Sequence, residues 1–273
     1  MPRLDEKQMS VSVICTARNA EATIHRALAS VLAQTRADFE LIVVDDGSSD
    51  ATPAQVRAQA ARDARVRLIP TAGVGRGYAL NLALTEARHA LVANIDADDE
   101  WHPEHLARTA GGLWPLTAFA ILGTSYLQLQ GSAPAAWPEL PHAAEVVEVT
   151  QLLTRGNPIF HSSVVMRRDA VLAVGGYRQN LANNFDYDLW VRLAGAGHRL
   201  GRLPLTLAVK RIHPGQAFLY SRRLHYLATS IAIQRRAMRT LGSGRQHLAL
   251  IPFRFVWGLL PVALRLRLRP GRP

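Results

Sequence analysis

Short runs of aliphatic and β-branched residues alternate with segments of helical periodicity along the first hundred residues. Four such runs predict strands at residues 11–15, 41–44, 66–69 and 91–95. After the first run, Ile24, Leu28, Val31 and Leu32 have the spacing of one buried helix face. Strands that alternate with helices predict βαβ units around a mostly parallel sheet.

The pattern changes beyond residue 111. Residues 119–130 predict one or two strands, 163–167 a strand and 186–196 a helix, whereas 131–142, with three prolines, predict a loop or flap. From about residue 218 a basic amphipathic segment follows. Its apolar stripe consists of Tyr220, Leu224, Leu227, Ile231, Met238 and Leu241. We therefore expect one α/β domain over 1–217, with halves at about 10–110 and 111–217, and a helical tail over 218–273.

The amino-acid composition is that of a folded globular protein, and the charged residues are distributed unevenly along the chain. The chain has 273 residues, 48% hydrophobic and 19% charged, which excludes disorder and collagen-like repeats. Residues 1–188 hold 16 basic and all 21 acidic residues, whereas 189–273 hold 16 basic residues and no acid. The net charge of +11 therefore comes from the tail. A single cysteine, Cys15, allows no intrachain disulfide and indicates a reducing compartment, so we expect a cytoplasmic protein.

Polar clusters follow three of the predicted strands, at residues 16–19, 45–48 and 96–99. In open α/β sheets, ligands bind beyond the carboxyl ends of the strands. Residues 45–48 are equally typical of a tight turn with a helix cap. Asp96, Asp98 and Asp99 repel one another, and such crowding persists most easily beside a cation, although a solvated acidic turn is the alternative.

Taken in order, these segments resemble the family 2 glycosyltransferases, enzymes of the GT-A fold that use nucleotide-sugar donors. The resemblance covers about residues 10–213. It is carried by VSVICTARNAEATIHRALASVLAQTRADFELIVVDDGSSDAT, NIDADDEWHPEHL, NPIFHSSVVMRRDAVLAVGGY and FDYDLWVRLAGAG. It implies a GT-A-like, Rossmann-type central sheet, mostly parallel and flanked by helices, with a C-terminal helical extension.

The resemblance also implies a site. The nucleotide pocket would contain Thr16, Arg18, Asn19, Glu40 and Asp46. The donor would be bordered by Arg76, Asn81, Ala97 and Asp98. A Mn²⁺ or Mg²⁺ ion would be held by Asp96, Asp98 and Asp99, with His213 near the diphosphate. Asp186 would be the catalytic base; Phe185 replaces the glutamate that usually precedes it, and Arg18 replaces a common tyrosine.

The resemblance implies a metal-dependent transfer of a sugar, with inversion, from a nucleotide diphosphate sugar, here expected to be a UDP-sugar, to a carbohydrate or lipid-linked acceptor in cell-surface polysaccharide or glycolipid synthesis. The alternative is a catalytically silent relative that binds a membrane or a partner. A further alternative is an NAD-dependent enzyme, because a glycine loop at 73–77 and the later Asp96 mimic a dinucleotide-binding unit. Its third glycine comes one residue early, and the acidic cluster suits a ribose poorly.

The tail carries its own prediction. Arg254, Arg265, Arg267, Arg269 and Arg272 flank an apolar run rich in aromatic residues. This pattern is typical of a segment that lies on an anionic membrane surface, here the inner face. The alternative is packing on the catalytic domain or on another subunit. No nucleic-acid motif is present, so nucleic acid is not expected, and the sequence leaves the oligomeric state open.

Overall fold

The computed structural model describes residues 10–113, 117–131, 133–212, 223–243 and 246. The strands are β1 (Val11–Ala17), β2 (Phe39–Asp45), β3 (Val66–Pro70), β4 (Leu91–Asp96), β5 (Glu100–Trp101), β6 (Phe119–Gln130), β7 (Val147–Glu148), β8 (Val164–Arg167) and β9 (Arg199–Ile212). The helices are α1 (Ile24–Leu32), α2 (Thr52–Ala60), α3 (Arg76–Glu86), α4 (His105–Leu113), α5 (Arg168–Ala173), α6 (Phe185–Gly195) and α7 (Arg223–Thr240). Two 3₁₀ turns, Thr150–Arg155 and His161–Ser163, precede β8.

The described strands form one sheet in the order β3-β2-β1-β4-β8-β6-β9-β5, with β7 paired to β9. The β3-β2-β1-β4 half is parallel, because each of these strands leads through a helical crossover to the next. The other half is mixed: β8 is antiparallel to β4 and β6, whereas β6 and β9 run parallel. All four carboxyl ends of the parallel half therefore lie on one edge of the sheet.

Both faces of the sheet are buried. On β1, Val13 and Cys15 belong to the core on one face, which also includes Ile24 and Val31 of α1. Ile14, between them, points to the other core, which contains Leu80 of α3. Strands buried on both faces read as continuous apolar runs, which is why the sequence predicted them well.

The first four predicted strands are confirmed, each at its predicted place and one or more residues longer. Residues 119–130 form one strand. Strand β9, of 14 residues, was not predicted from the sequence. Leu203, Leu205 and Leu207 are buried on one face there, with Pro204 exposed between them. Leucine alternates with other residues there, as in a half-buried strand, but a proline and the flanking arginines argued against a strand.

Helix α7, in the first half of the predicted tail, packs on the α/β body. Ile233, Ala237 and Met238 are buried, and Gln234 Nε2 donates to the Thr154 carbonyl at 2.8 Å. The predicted stripe is therefore partly wrong, since Leu224 is 61% exposed. This packing was one of the alternatives for the tail. Among the described helices, none has the length and apolarity needed to cross a membrane.

Candidate active site

The parallel register brings the three polar clusters together. Thr16 of β1 lies beside Val44 of β2 and beside Asp96 of β4. The turns that follow these strands are consequently neighbours at the carboxyl edge. The clusters that are separated by about thirty and fifty residues in the chain thus form one surface.

Asn19 joins the first two turns. The amide of Ser49 donates to Asn19 Oδ1 at 2.9 Å, and the Asn19 amide donates to Ser48 Oγ at 2.9 Å. Asn19 adopts φ +50°, a left-handed conformation that asparagine tolerates. Arg18, which is exposed, extends over the glycine loop: a Cβ at Gly73 would lie 3.7 Å from Arg18 Nη1. Thr16, Arg18 and Asn19 therefore meet at the predicted edge.

Asp46 organises the glycine loop. Its Oδ1 accepts hydrogen bonds from the amide of Val74 at 2.7 Å and from Thr71 Oγ1 at 2.9 Å, and its Oδ2 accepts one from the Gly75 amide at 3.1 Å. The loop amides that would bind a phosphate in a dinucleotide fold thus bind a carboxylate of this chain, which disfavours the NAD-dependent alternative. At the same edge, Asp45 Oδ1 is buried without a hydrogen-bond partner in the described part of the chain.

The acidic turn after β4 can hold a cation. Asp96, Asp98 and Asp99 place their carboxylate oxygens within 4.8 Å of one another, around the buried Ala97. Burial and the charges of Asp98 and Asp96 raise the pKa of Asp99 well above its usual value. Hard oxygen ligands crowded in this way suit Mg²⁺ or Mn²⁺, and a bound cation would relieve the repulsion. These three residues would hold the ion; His213 lies outside the described residues.

Asp96 is the most connected member of the cluster. Its Oδ1 accepts hydrogen bonds from Arg76 Nη2 at 2.5 Å and from Asn94 Nδ2 at 3.1 Å, and lies 3.4 Å from His161 Nδ1. Burial disfavours the carboxylate, but Arg76 and His161 outweigh this and hold its pKa well below the usual value. Asp96 is therefore ionised and oriented.

The 3₁₀ turn before β8 supplies a second layer behind the cluster. His161 Nε2 lies 2.9 Å from the Tyr177 hydroxyl, and Ser162 Oγ accepts a hydrogen bond from the Asp96 amide at 2.9 Å. From the sequence, adjacent residues of a strand would point to opposite faces, which argues against a nucleophile–base pair and predicts His161 as an acceptor-side or structural residue. The turn lets both His161 and Ser162 reach Asp96, and only the motif NPIFHSS signalled it.

A buried arginine links the acidic turn to the predicted flap. The backbone amide of Arg211 donates to Asp99 Oδ1 at 3.1 Å, and the side-chain Nε of Arg211 donates to Glu100 Oε1 at 2.8 Å. Its Nη1 donates to the Ala133 carbonyl at 2.5 Å. Arg211 is 2% exposed, so these contacts hold the start of the loop at 131–142 against the site.

Asp186 lies in the first turn of α6, where the helix dipole favours a negative charge. Asn157 Nδ2 donates to Asp186 Oδ2 at 2.6 Å. The preceding residue, Phe185, packs beneath Arg76, whose guanidinium carbon is 5.0 Å from the ring centroid. Arg76 thus lies between the acidic cluster and the helix that carries Asp186.

Two predicted pocket residues lie elsewhere. Glu40 is at the amino end of β2, where Oε1 accepts hydrogen bonds from Ser12 Oγ and the Arg88 amide, both at 2.8 Å. This is the edge of the sheet opposite the site, so its expected place in the nucleotide pocket is wrong.

The side chain of Asn81 forms hydrogen bonds with the backbone of Tyr177. It donates to the Tyr177 carbonyl at 2.8 Å and accepts from the Tyr177 amide at 2.7 Å. A Cβ at Gly176, where φ is +61°, would lie 2.4 Å from Asn81 Oδ1, so the approach requires glycine. Asn81 therefore holds the loop of Tyr177 in place rather than facing a donor.

The fold is that of the GT-A glycosyltransferases, as predicted. It is similar to S. aureus TarS 1–349 in complex with UDP-GlcNAc (TM-score 0.67, 19% identity, 91% of this chain and 72% of that chain). It is also similar to the mannosyltransferase PcManGT from Pyrobaculum calidifontis in complex with GDP-Man and Mn²⁺ (TM-score 0.64, 21% identity, 96% and 76%).

Sequence comparison identifies the family. The glycosyl transferase family 2 model matches residues 12–170. The amylovoran biosynthesis glycosyltransferase AmsE of Erwinia amylovora is 26% identical over 228 residues, which are 82% of this chain and 84% of the relative. This chain belongs to glycosyltransferase family 2.

Proposed function

We propose that this protein transfers a sugar from a nucleotide diphosphate sugar to an acceptor hydroxyl, with inversion and with the help of Mn²⁺ or Mg²⁺. The observation that carries this proposal is the convergence around Arg76. Its guanidinium contacts Asp96 and stacks on Phe185, and the charges of Asp96, Asp98 and Asp186 all act on it. The acidic cluster and Asp186 therefore both act on Arg76, which supports a cation site and a carboxylate base that serve one substrate.

The residues of the chain divide the chemistry. A divalent cation held by the acidic cluster supplies Lewis-acid stabilisation of the departing diphosphate when it is bound. Asp186, oriented by Asn157, would accept the proton of the acceptor hydroxyl. A single base that acts from the face opposite the leaving group would give direct displacement with inversion. Arg76 would bind diphosphate oxygens, for which a guanidinium is well suited.

For the donor we propose a UDP-sugar first, since TarS was solved with UDP-GlcNAc. PcManGT was solved with GDP-Man, so GDP-sugars are the second class to test. Asp45 and Thr16, at the ends of β2 and β1, are the residues we propose to face the nucleoside. For the acceptor we propose a carbohydrate or lipid-linked intermediate of cell-surface polysaccharide or glycolipid synthesis, which the amylovoran biosynthesis relative supports.

A donor screen tests the proposal. Full-length protein with Mn²⁺ is incubated with UDP-, GDP- and dTDP-sugars, and release of the nucleoside diphosphate is measured. We expect hydrolysis or transfer with one donor class and a fall of about 10²–10⁴-fold in Asp186→Asn. Asp169→Asn, an exposed carboxylate in the first turn of α5, is the matched control and should retain full activity. Activity that survives both Asp98→Asn and Asp186→Asn would overturn the mechanism.

For the tail beyond α7 we propose contact with an anionic membrane surface at the inner face. The support is the arginine-flanked apolar run of residues 248–272. In sedimentation with liposomes of anionic lipid at low salt, the full chain should pellet, whereas a chain that ends after Gly244 should not. Equal sedimentation of the two forms would contradict the proposal. The truncation keeps α7, whose buried face belongs to the catalytic body.

A further inference from the structure

Arg76 forms an ion pair with Asp96, one of the three carboxylates proposed to hold the metal ion. Its Nη2 lies 2.5 Å from Asp96 Oδ1, and Asp96 is one of the three residues whose oxygens lie within 4.8 Å of one another. A guanidinium in this position neutralises part of the negative charge of the acidic cluster. It therefore competes electrostatically with any divalent ion that binds there.

The position of Arg76 permits a second arrangement. The residue begins α3 directly after Gly75, and its side chain remains 41% exposed. Phe185 supports the guanidinium from below through a cation–π contact but contributes no negative charge of its own. An arginine attached in this way can exchange one anionic partner for another without disturbing the core.

We propose that Arg76 is an internal counter-cation that couples metal binding to nucleotide binding. Without nucleotide, Arg76 lies on Asp96 and weakens the affinity of the acidic cluster for the divalent ion. The diphosphate of a bound nucleotide offers Arg76 a second anion, to which guanidinium groups bind in bidentate fashion. Asp96 is then released to the ion, so each ligand strengthens the binding of the other. This inference rests on the proposed function of the same site.

Binding measurements that do not depend on turnover test the inference. The affinity for Mn²⁺ is measured by electron paramagnetic resonance of the free ion, without nucleotide, for the parent, Arg76→Gln and Arg88→Gln. The affinity for UDP and for GDP is measured by calorimetry at saturating Mn²⁺. Arg88→Gln is the matched control, because Arg88 is also an arginine paired with a carboxylate, Glu40 at 3.8 Å, on the opposite edge of the sheet.

The two measurements should change in opposite directions. Without nucleotide, Arg76→Gln should bind Mn²⁺ about fivefold more tightly than the parent. With Mn²⁺ present, the same variant should bind the nucleotide about tenfold more weakly. Arg76→Lys, which keeps the charge but not the fork geometry, should fall between the parent and Arg76→Gln in both. Arg88→Gln should match the parent throughout.

The other outcomes overturn the inference. Tighter Mn²⁺ binding without weaker nucleotide binding would make Arg76 a simple repelling charge, and weaker nucleotide binding alone would make it a simple ligand. Mn²⁺ binding that is the same in parent and Arg76→Gln would exclude competition at Asp96. If neither UDP nor GDP binds any variant, the proposed function fails, whereas the nucleotide-free measurement still decides the competition.

Discussion

Two charged regions of this molecule use carboxylates in opposite ways. At the acidic cluster, three carboxylates within four residues face Arg76, which contacts Asp96. On α6, the fully buried Asp188 is surrounded by arginines: Arg236 at 2.6 Å, Arg192 at 2.8 Å and Arg178 at 3.4 Å. In the first region three carboxylates share a small space, whereas in the second one carboxylate meets three arginines.

The difference teaches how to separate function from architecture in one fold. Carboxylates that crowd one another favour the binding of a cation, so we propose the acidic cluster as a cation site. A buried carboxylate with several guanidinium partners instead fixes the elements that carry them, here α6 and α7. Asp186 and Asp188 are two residues apart, yet only Asp186 faces the site.

The largest expected effect concerns the acidic cluster. Asp98→Asn should lower the rate of nucleoside diphosphate release by about 10²–10³-fold, because the cation that would stabilise the departing diphosphate is held less tightly. Without metal, its free energy of unfolding should change by less than about 1 kcal/mol, because the loss of the contacts of Asp98 is offset by weaker repulsion with Asp96 and Asp99. Urea unfolding with and without Mn²⁺ measures this. A clear loss of stability in the metal-free variant would show that the cluster is architectural.

Asp188→Asn should show the reverse. Removing the carboxylate leaves its arginines without their central partner, and the free energy of unfolding should fall by about 3 kcal/mol. Activity per folded molecule, measured well below the unfolding temperature, should stay within a few-fold of the parent. A selective loss of activity without a loss of stability would contradict the distinction between the two regions.

The buried His105 extends the comparison to a group whose pKa is shifted mainly by burial. His105 stacks on Trp101 at 4.1 Å, and burial lowers its pKa to about 3. Because this value lies below the unfolded value of about 6.5, the stability that neutral His105 contributes is complete above pH 6.5 and is lost as the pH falls. Between pH 7 and pH 5 the loss should be about 2 kcal/mol.

Urea unfolding at the two pH values measures this effect. His105→Phe, which preserves the stacking, should lose correspondingly less stability between pH 7 and pH 5. His25→Phe, at an exposed position of α1, is the control and should follow the parent. An unchanged pH dependence in His105→Phe would show that other groups are responsible.

The smallest expected effect tests the attachment of α7. Arg236→Met removes one of the partners of Asp188, and because Arg236 is 37% exposed the cost should be only about 1 kcal/mol. Amide exchange in α7 should accelerate about fivefold. The control is Arg235→Met, a neighbouring exposed arginine, which should exchange like the parent. Equal exchange in the two variants would mean that apolar packing alone holds the helix.

Much of the site was predictable because its residues follow apolar strands. The acidic cluster, Thr16 and Asn19 sit where a parallel sheet must place them, at carboxyl ends. The same rule explains why the nucleotide-pocket prediction for Glu40 was wrong: Glu40 lies at the beginning of its strand, not at its carboxyl end. Asn81 and Asp46 were recognised as important, but the pattern of residue types does not show whether a polar side chain faces a ligand or its own backbone.

The sequence alone determined the parallel half of the fold, the family and the place of the negative charge. Local apolar periodicity and strand order are sufficient for these, because burial on both faces of a sheet leaves a continuous signal. Only the tertiary structure decided that His161 reaches Asp96, that α7 packs on α6 and that Arg76 joins the acidic cluster to Phe185. These contacts join residues distant in the chain, and they depend on side-chain geometry that no local pattern encodes.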